Sequence, residues 1–343
     1  MTASAAATAI CITMGDVCGI GPEIIAKLFR TEQATGCFVL GDVGVMRRAA
    51  ALTGGLLAVA CIDSPADAVD MPPTCVPVLQ ADALPAGLQG APLGRIDARA
   101  GAAAARCIEQ AAALALRGEV VAVVTAPIHK AALAAAGIAF PGHTEMLQAL
   151  AAPAGGQPPA VRMMLANDEL RTVLVTIHLS LRRAIDAITF DAVLGTLRIA
   201  HHAAAGWGQP APRIAVAGLN PHAGEGGLFG DEELTIIAPA IAAARAEGID
   251  ARGPFAPDTV FMRARNTAAH PGEFDLVLAM THDHGLIPVK YLGVEQGVNV
   301  TLGLPFVRTS PDHGTAFDIA GTGRADPASL AAALAMARRL IGV

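Results

Sequence analysis

The sequence predicts an α/β protein of two domains, and three observations carry that prediction. Apolar runs of strand length alternate with longer, alanine-rich amphipathic stretches of helix length. At 343 residues the chain is longer than one hydrophobic core usually supports. A Pro- and Gly-rich segment, APAGGQPPA around residues 152–160, interrupts the alternation as a loop or hinge does.

Taken in order, AICITM (9–14) reads as a buried strand and PEIIAKLFR (22–30) as the helix after it. Pro22 sits in that helix's first turn, where its missing N–H costs nothing. CFVLG (37–41) is the next strand, and ARAGAAAARCIEQAAALALRG (98–118) a long helix leading into the strand VVAVVTA (120–126). After the helix EMLQAL and the 152–160 segment come the strands VRMML (161–165) and RTVLVTI (171–177). The helix DAVLGTLRIAHHAAAG (191–206), the strand RIAVAGL (213–219) and the helix EELTIIAPAIAAARAEG (232–248) follow. FDLVLAM (274–280) and VNVTLGL (298–304) are the last strands. Asp326-Pro327 opens the terminal helix DPASLAAALAMARRLIG. No internal repeat or disordered tract breaks this order.

Composition excludes several classes of function. Net charge is −6, aromatic content is 3%, and no basic block occurs, so a nucleic-acid surface is excluded. Although 53% of residues are hydrophobic, no uncharged apolar run is long enough to span a bilayer without Gly, Pro or His, so no membrane span is expected. The opening MTASAAATAICITMGD lacks the basic segment and apolar core of a secretory leader. Six cysteines (Cys11, Cys18, Cys37, Cys61, Cys75, Cys107) form no CxxC pair and fall partly in strand-like runs. Reduced thiols in a cytoplasmic protein are expected.

Five constellations carry chemistry. Gly15-Asp16-Val17-Cys18-Gly19-Ile20-Gly21-Pro22-Glu23 is a glycine-rich strand-to-helix turn, but neither a P-loop nor GxGxxG. Thr125-Ala126-Pro127-Ile128-His129-Lys130 follows a strand. Phe140-Pro141-Gly142-His143-Thr144-Glu145 places His143 and Thr144 at a helix N-terminus, where backbone N–H groups favour anions. His178, His222 and His282 each follow an apolar strand-like run. Imidazoles gathered at strand carboxyl ends make a divalent-metal site, with Asn220, Glu225, Asp231 and Asp283 as supporting polar groups. Lys290, Asn299 and Arg308, set among apolar and glycine residues, read as a clamp for phosphate or carboxylate. The polar stretch from Asp312 to Pro327 reads as a functional loop ahead of the last helix.

That last loop resembles the HG[ST]AxDIAG loop of the β-decarboxylating dehydrogenases (isocitrate and isopropylmalate dehydrogenases), in which it binds the adenine part of NAD(P). Those enzymes hold their metal with aspartates, whereas the histidine trio resembles the 4-hydroxythreonine-4-phosphate dehydrogenase family (pyridoxal phosphate biosynthesis protein A). The resemblance runs through ITMGDVCGIGPEI, TAPIHKAAL, PGHTEML, NPHAGEGGLFGDEE, GPFAPDTVF, HDHG and GVNVTLGLPFVRTSPDHGTAFDIAG. It implies an isocitrate/isopropylmalate dehydrogenase-like α/β fold with the active-site cleft between two domains. The domains are expected at 1–139 with 300–343, and at 140–299. It also implies a cytoplasmic homodimer whose active sites are shared between subunits.

By motif, the resemblance assigns His143, Thr144, Lys290, Asn299 and Arg308 to substrate and its phosphate. It assigns His178, His222 and His282 to one divalent metal ion (Zn, Mg, Co or Mn). His313, Gly314, Thr315 and Asp318 go to NAD or NADP. The chain departs from the family pattern at Val17 and Cys18, at His129, and at Thr281 and His284 flanking His282-Asp283.

The implied reaction is metal-dependent oxidation, with decarboxylation, of 4-hydroxy-L-threonine 4-phosphate. Lys290 is the candidate for proton transfer and Asp258 a second polar group there. The stretches GLIPVKYLGVEQGVN and PDHGTAFDIA look like a second branch acting on D-threonate or D-erythronate 4-phosphate. A carboxylated cis-dihydrodiol dehydrogenase, an acyl- or phosphate-transfer enzyme on the same scaffold, and a non-catalytic metal- or metabolite-binding relative stay open as alternatives.

Overall fold

The structure is a computed structural model that describes residues 9–293 and 296–342. Val294 and Glu295 of the expected GLIPVKYLGVEQGVN motif, and the first eight residues of the expected leader-free start, lie outside the described residues. The chain forms two compact units: residues up to 160 together with 304–341, and residues 161–303. The division falls after the helix carrying His143 and Thr144, so both belong to the first unit. The expected break at 139/140 would have put them in the second.

Twelve strands are numbered along the chain. The first unit carries β1 (Ile10–Thr13), β2 (Cys37–Gly41), β3 (Ala58–Ile62), β4 (Cys75–Gln80) and β5 (Ala122–Thr125). The second carries β6 (Arg162–Ala166), β7 (Arg171–Leu174), β8 (Ile214–Ala217), β9 (Ala251–Phe255), β10 (Leu276–Ala279) and β11 (Val298–Leu302). The chain then returns to the first unit with β12 (Val307–Pro311).

In the first unit the strands pair in parallel in the order β3-β4-β2-β1-β5-β12. β1, β2 and β5 are buried along their length, as continuous Ile/Val/Cys/Ala runs covered on both faces are expected to be. The long helix Ala98–Leu116 buries its alanine face, and Ala105, Ile108 and Ala112 pack with Leu133, Met146 and Leu147. That cluster fixes the helix His143–Leu150, whose Met146 and Leu147 point inward while His143 and Thr144 stand at its open end.

In the second unit the order is β11-β6-β7-β10-β8-β9, with β6 antiparallel to both β11 and β7 and the rest parallel. Its core joins Leu165, Leu174, Ala215, Phe261, Val277 and Leu286. The helix His282–Tyr291 lies close against β7: a Cβ built on Gly285 would come within 2.3 Å of Leu174 Cδ2 and 2.8 Å of Thr172 Cγ2. Only glycine permits that approach, and it sets where the helix start, with His282, is held. Among the described residues no helix is long and apolar enough to cross a membrane.

Candidate functional site

In the second unit β7, β10 and β8 are adjacent and parallel, so their carboxyl ends lie side by side. His178 follows β7, His282 follows β10 and His222 follows β8, all at the edge where open α/β sheets bind ligands. The Thr176 N–H and Oγ1 donate to the Met280 carbonyl at 3.2 and 2.8 Å, which keeps the two chain ends together beyond the strands. The rings of His178 and His282 face each other at 5.7 Å between centroids, tilted by 45°. They line one pocket of about 230 Å³ with Thr176, Thr281 and Asp283.

His282 Nδ1 lies 2.8 Å from Asp283 Oδ1. With a carboxylate as acceptor, Nδ1 carries the proton and the ring offers the Nε2 lone pair. The donor chemistry of this pair fits a divalent cation. His222 does not join them: its ring lies against Phe229, 6.2 Å between centroids, and it lines a second pocket of about 610 Å³ with Asp258, Asp283 and His284. Among the described residues, no three His, Cys, Asp or Glu side chains are gathered as a complete ligand set.

Two of the three histidines sit in strained backbone. His178 has φ +46° and His222 φ +53°, and Ala223 and Glu225 are also left-handed at +52° and +43°. Non-glycine residues rarely adopt this region, and where they do the surroundings must enforce it. Just ahead of His222 the chain is anchored by Glu233, which is 2% exposed. Its Oε1 accepts from the backbone N–H of Leu219 and of Asn220, both at 2.7 Å, and its Oε2 accepts from Asn220 Nδ2 at 2.9 Å. Glu233 opens a single π-helical turn, Glu233–Ile237, a feature that often re-aims side chains at functional sites. Burial pushes its carboxyl up, but the hydrogen bonds from Asn220 and Leu219 outweigh that and hold it below the usual range.

Sequence reasoning missed Glu233, although the acidic pair after GLFGD was a signal. Of the expected supporting groups, Asn220 is in this network, Asp283 orients His282, and Glu225 is an exposed residue of the left-handed loop. Asp231 caps the π-helical turn through its carbonyl, which accepts from Thr235 Oγ1 at 2.9 Å. Lys290 is exposed in the last turn of its helix, Asn299 is half-buried on β11, and Asp258 is exposed at the rim of the larger pocket.

In the first unit the strand order reverses between β1 and β5, which makes their carboxyl ends the topological switch point. Three loops meet there. Asp16 N–H donates to the Pro127 carbonyl at 2.9 Å, and Ile20 N–H to the Thr315 carbonyl at 3.0 Å. His129 stacks on Phe317 at 4.6 Å with 17° between rings, so this departure from the family pattern has a packing partner. Thr315 is buried, Gly314 and Asp318 are exposed, and His313 Nδ1 lies 2.9 Å from the Gly314 carbonyl. Glu23 accepts from the N–H groups of Gly321 and Ala325, tying the far end of the loop to the helix Gly21–Leu28. Asp16 is 1% exposed; Cys18 N–H donates to its Oδ1 at 2.8 Å, while its Oδ2 is buried without a hydrogen-bond partner. Burial raises its pKa.

β12 supplies a deeply buried cation. Arg308 is 3% exposed, and its Nε and Nη2 donate to Thr125 Oγ1 at 3.2 and 2.7 Å. Burial pushes its pKa down to about 10, against the pull of Glu145, so it stays a cation at neutral pH. His143 is half-buried as a residue, but its Nε2 is shut off from solvent and has no hydrogen-bond partner. Burial first, and the Arg308 charge second, hold its pKa well below the usual value, so the ring is neutral. A buried guanidinium beside a neutral imidazole and a helix N-terminus is a ready-made receptor for an oxyanion.

Comparison with known proteins places the chain. The family model described as pyridoxal phosphate biosynthetic protein PdxA matches residues 33–337. A 4-hydroxythreonine-4-phosphate dehydrogenase from Beijerinckia indica is 55% identical over 332 residues, 96% of this chain and 94% of its own. A D-threonate 4-phosphate dehydrogenase from Pectobacterium atrosepticum is 45% identical over 338 residues, 96% of this chain and 98% of its own. A solved 4-hydroxythreonine-4-phosphate dehydrogenase from Klebsiella pneumoniae matches with a TM-score of 0.87 at 44% identity, over 98% of this chain and 100% of that one.

Proposed function

The chain belongs to the pyridoxal phosphate biosynthetic protein PdxA family, and we propose that it oxidises and decarboxylates 4-hydroxy-L-threonine 4-phosphate with NAD or NADP. As the family relatives are, it is a dehydrogenase. The observation that carries the substrate class is the buried Arg308–Thr125 pair beside neutral His143, which suits a phosphate monoester. Arg308 holds the phosphate oxygens through its planar donor fork. His143 contributes a neutral ring whose buried Nε2 has no hydrogen-bond partner in the protein, and Thr144 adds the helix N-terminus. Asn299 and Lys290 hold the remainder of the substrate. Lys290, with Asp258 as a second group, takes the proton released as the secondary alcohol becomes a ketone.

His178 and His282 are the proposed ligands of a divalent cation, with His222 the third, and the loop His313–Asp318 receives the nicotinamide dinucleotide. When bound, the dinucleotide would accept the hydride and the cation would polarise the oxygen that loses its proton. The strained backbone at His178 and His222 supports a role for both. Exposed apolar side chains on the second unit, among them Leu228, Phe229, Met262, Ile287 and Tyr291, support a second copy of the chain as partner. The six free thiols support a reducing compartment, the cytoplasm.

The test is NAD(P)⁺ reduction by the purified protein, with and without a chelator. 4-Hydroxy-L-threonine 4-phosphate should give chelator-sensitive turnover. The second reading, D-threonate 4-phosphate, rests on the 45% identical relative; turnover of that ester alone would establish it. Silence on every 4-phosphorylated hydroxy acid, with metal supplied, would overturn both.

A further inference from the structure

We infer that Thr125 is a positioning residue for phosphate binding: its hydroxyl fixes the plane of the Arg308 guanidinium. This rests on the reading of Arg308 as the phosphate-holding residue. Thr125 ends β5 and is wholly buried, while Arg308 lies on the neighbouring parallel strand β12 in register with Val123. Residues two apart share a strand face, so Thr125 stands one step further along the face that Arg308 occupies. One hydroxyl oxygen accepts from both Nε and Nη2, at 3.2 and 2.7 Å, and so grips one edge of the fork.

An arginine side chain has several soft torsions, and holding it in one plane otherwise uses up binding energy on each encounter. A buried acceptor on the Nε edge removes that freedom before the ligand arrives. It also adds no negative charge to compete with phosphate, which a carboxylate in the same place would do. His143 beside it is neutral through burial first and the Arg308 charge second, so it brings no competing cation.

The two halves of the threonine side chain make opposite predictions. If the hydroxyl matters, Thr125→Val removes it while keeping the branched shape, and Thr125→Ser keeps it while leaving a methyl-sized gap. If only packing matters, the valine variant behaves as the parent and the serine variant suffers. The experiment measures KM and kcat for the phosphorylated substrate, and stabilisation against heat by inorganic phosphate, for both variants and for Arg308→Met. Thr125→Val should raise KM about tenfold, the equivalent of losing one modest hydrogen bond to a charged group, with kcat changed much less. It should also lose most of the phosphate-induced shift, and Thr125→Ser should restore both. If Arg308→Met weakens phosphate binding but Thr125→Val does not, the positioning role is wrong. If Arg308→Met itself leaves KM and the phosphate shift intact, the reading of Arg308 fails, and the inference fails with it.

Discussion

Replacing Glu233 by alanine should loosen the loop that carries His222 while leaving the second unit folded. Its carboxylate accepts three hydrogen bonds, two of them from backbone N–H groups of Leu219 and Asn220. Leaving a buried N–H without a partner costs about 1–3 kcal/mol. Water reaching the half-buried Asn220 reduces the total, so the loss is about 3 kcal/mol. On the other side stands the strain of His222, Ala223 and Glu225 in left-handed backbone, about 1–2 kcal/mol each. The anchor and the strain are therefore of similar size, and removing the anchor makes opening easier. A loss of about 3 kcal/mol raises the open population roughly a hundredfold, still small beside the roughly 5–15 kcal/mol of a typical protein's global stability.

Native-state hydrogen exchange reads this directly. Amides of residues 219–229 should exchange about a hundredfold faster in Glu233→Ala, with the core strands β7, β8 and β10 unchanged. Glu233→Gln should fall between, because one oxygen still serves the two backbone donors while its new NH₂ meets the Asn220 amide. The carboxyl has a lowered folded pKa, so its contribution is present above the unfolded value near 4.3 and is lost as pH falls through the folded value. Wild-type protection factors in 219–229, taken against the intrinsic exchange rate at each pH, should thus fall on acidification below about pH 4, and the glutamine variant should not show that step. Equal acceleration across the whole second unit, or none in the loop, would refute the reasoning.

Further outcomes follow from the same geometry. Asp16→Asn keeps the Cys18 contact and removes a buried charge. Burial raises the folded pKa of Asp16, so its contribution is present below the unfolded value near 3.9 and lost as pH rises through the folded one. The asparagine variant should therefore melt higher than the parent at pH 7, the two converging below about pH 4 in a thermal scan. For His143 the folded pKa is depressed, so stability is lost as pH falls from about 6.5 toward the folded value; His143→Gln should flatten that slope in melts between about pH 7 and 5. Gly285→Ala places a methyl group 2.8 Å from Thr172 Cγ2 and 3.0 Å from Ala279 Cβ, neither of which can swing away. It should destabilise by about 1–3 kcal/mol, read as a drop in melting temperature of several degrees, and lower kcat by shifting His282. An unchanged melting temperature would mean the helix start is free to move.

How much of this was legible in the sequence depends on where each signal lies. Apolar runs covered on both faces announce themselves, so β1, β2, β5, β8 and β10 lie within AICITM, CFVLG, VVAVVTA, RIAVAGL and FDLVLAM. β3 is partly exposed and weak in contrast, and β4 and β9 each carry a proline, so none reads as a strand from its own residues. The order of the three histidines on adjacent strands follows from those apolar runs. Their convergence does not, because it depends on ring orientations that no pattern encodes, and the structure joins only His178 and His282.

The left-handed run at His222 was hidden for a different reason. Its glycines were visible, but Ala223 and Glu225 are not residues that signal positive φ, and Glu233 anchors the chain just before the run from further along the sequence. The Arg308–Thr125 contact spans 183 residues and exists only because β12 inserts beside β5 after the chain has built the second unit. Each partner was visible in its own motif as a polar residue in apolar surroundings. What makes them a receptor is the pairing of two strands, so the chemistry of such a site is written locally while its precision is set by topology. That is why a valine at 125, invisible to any local reading of the sequence as a strand, is the substitution that should separate a guanidinium that is merely buried from one that is aimed.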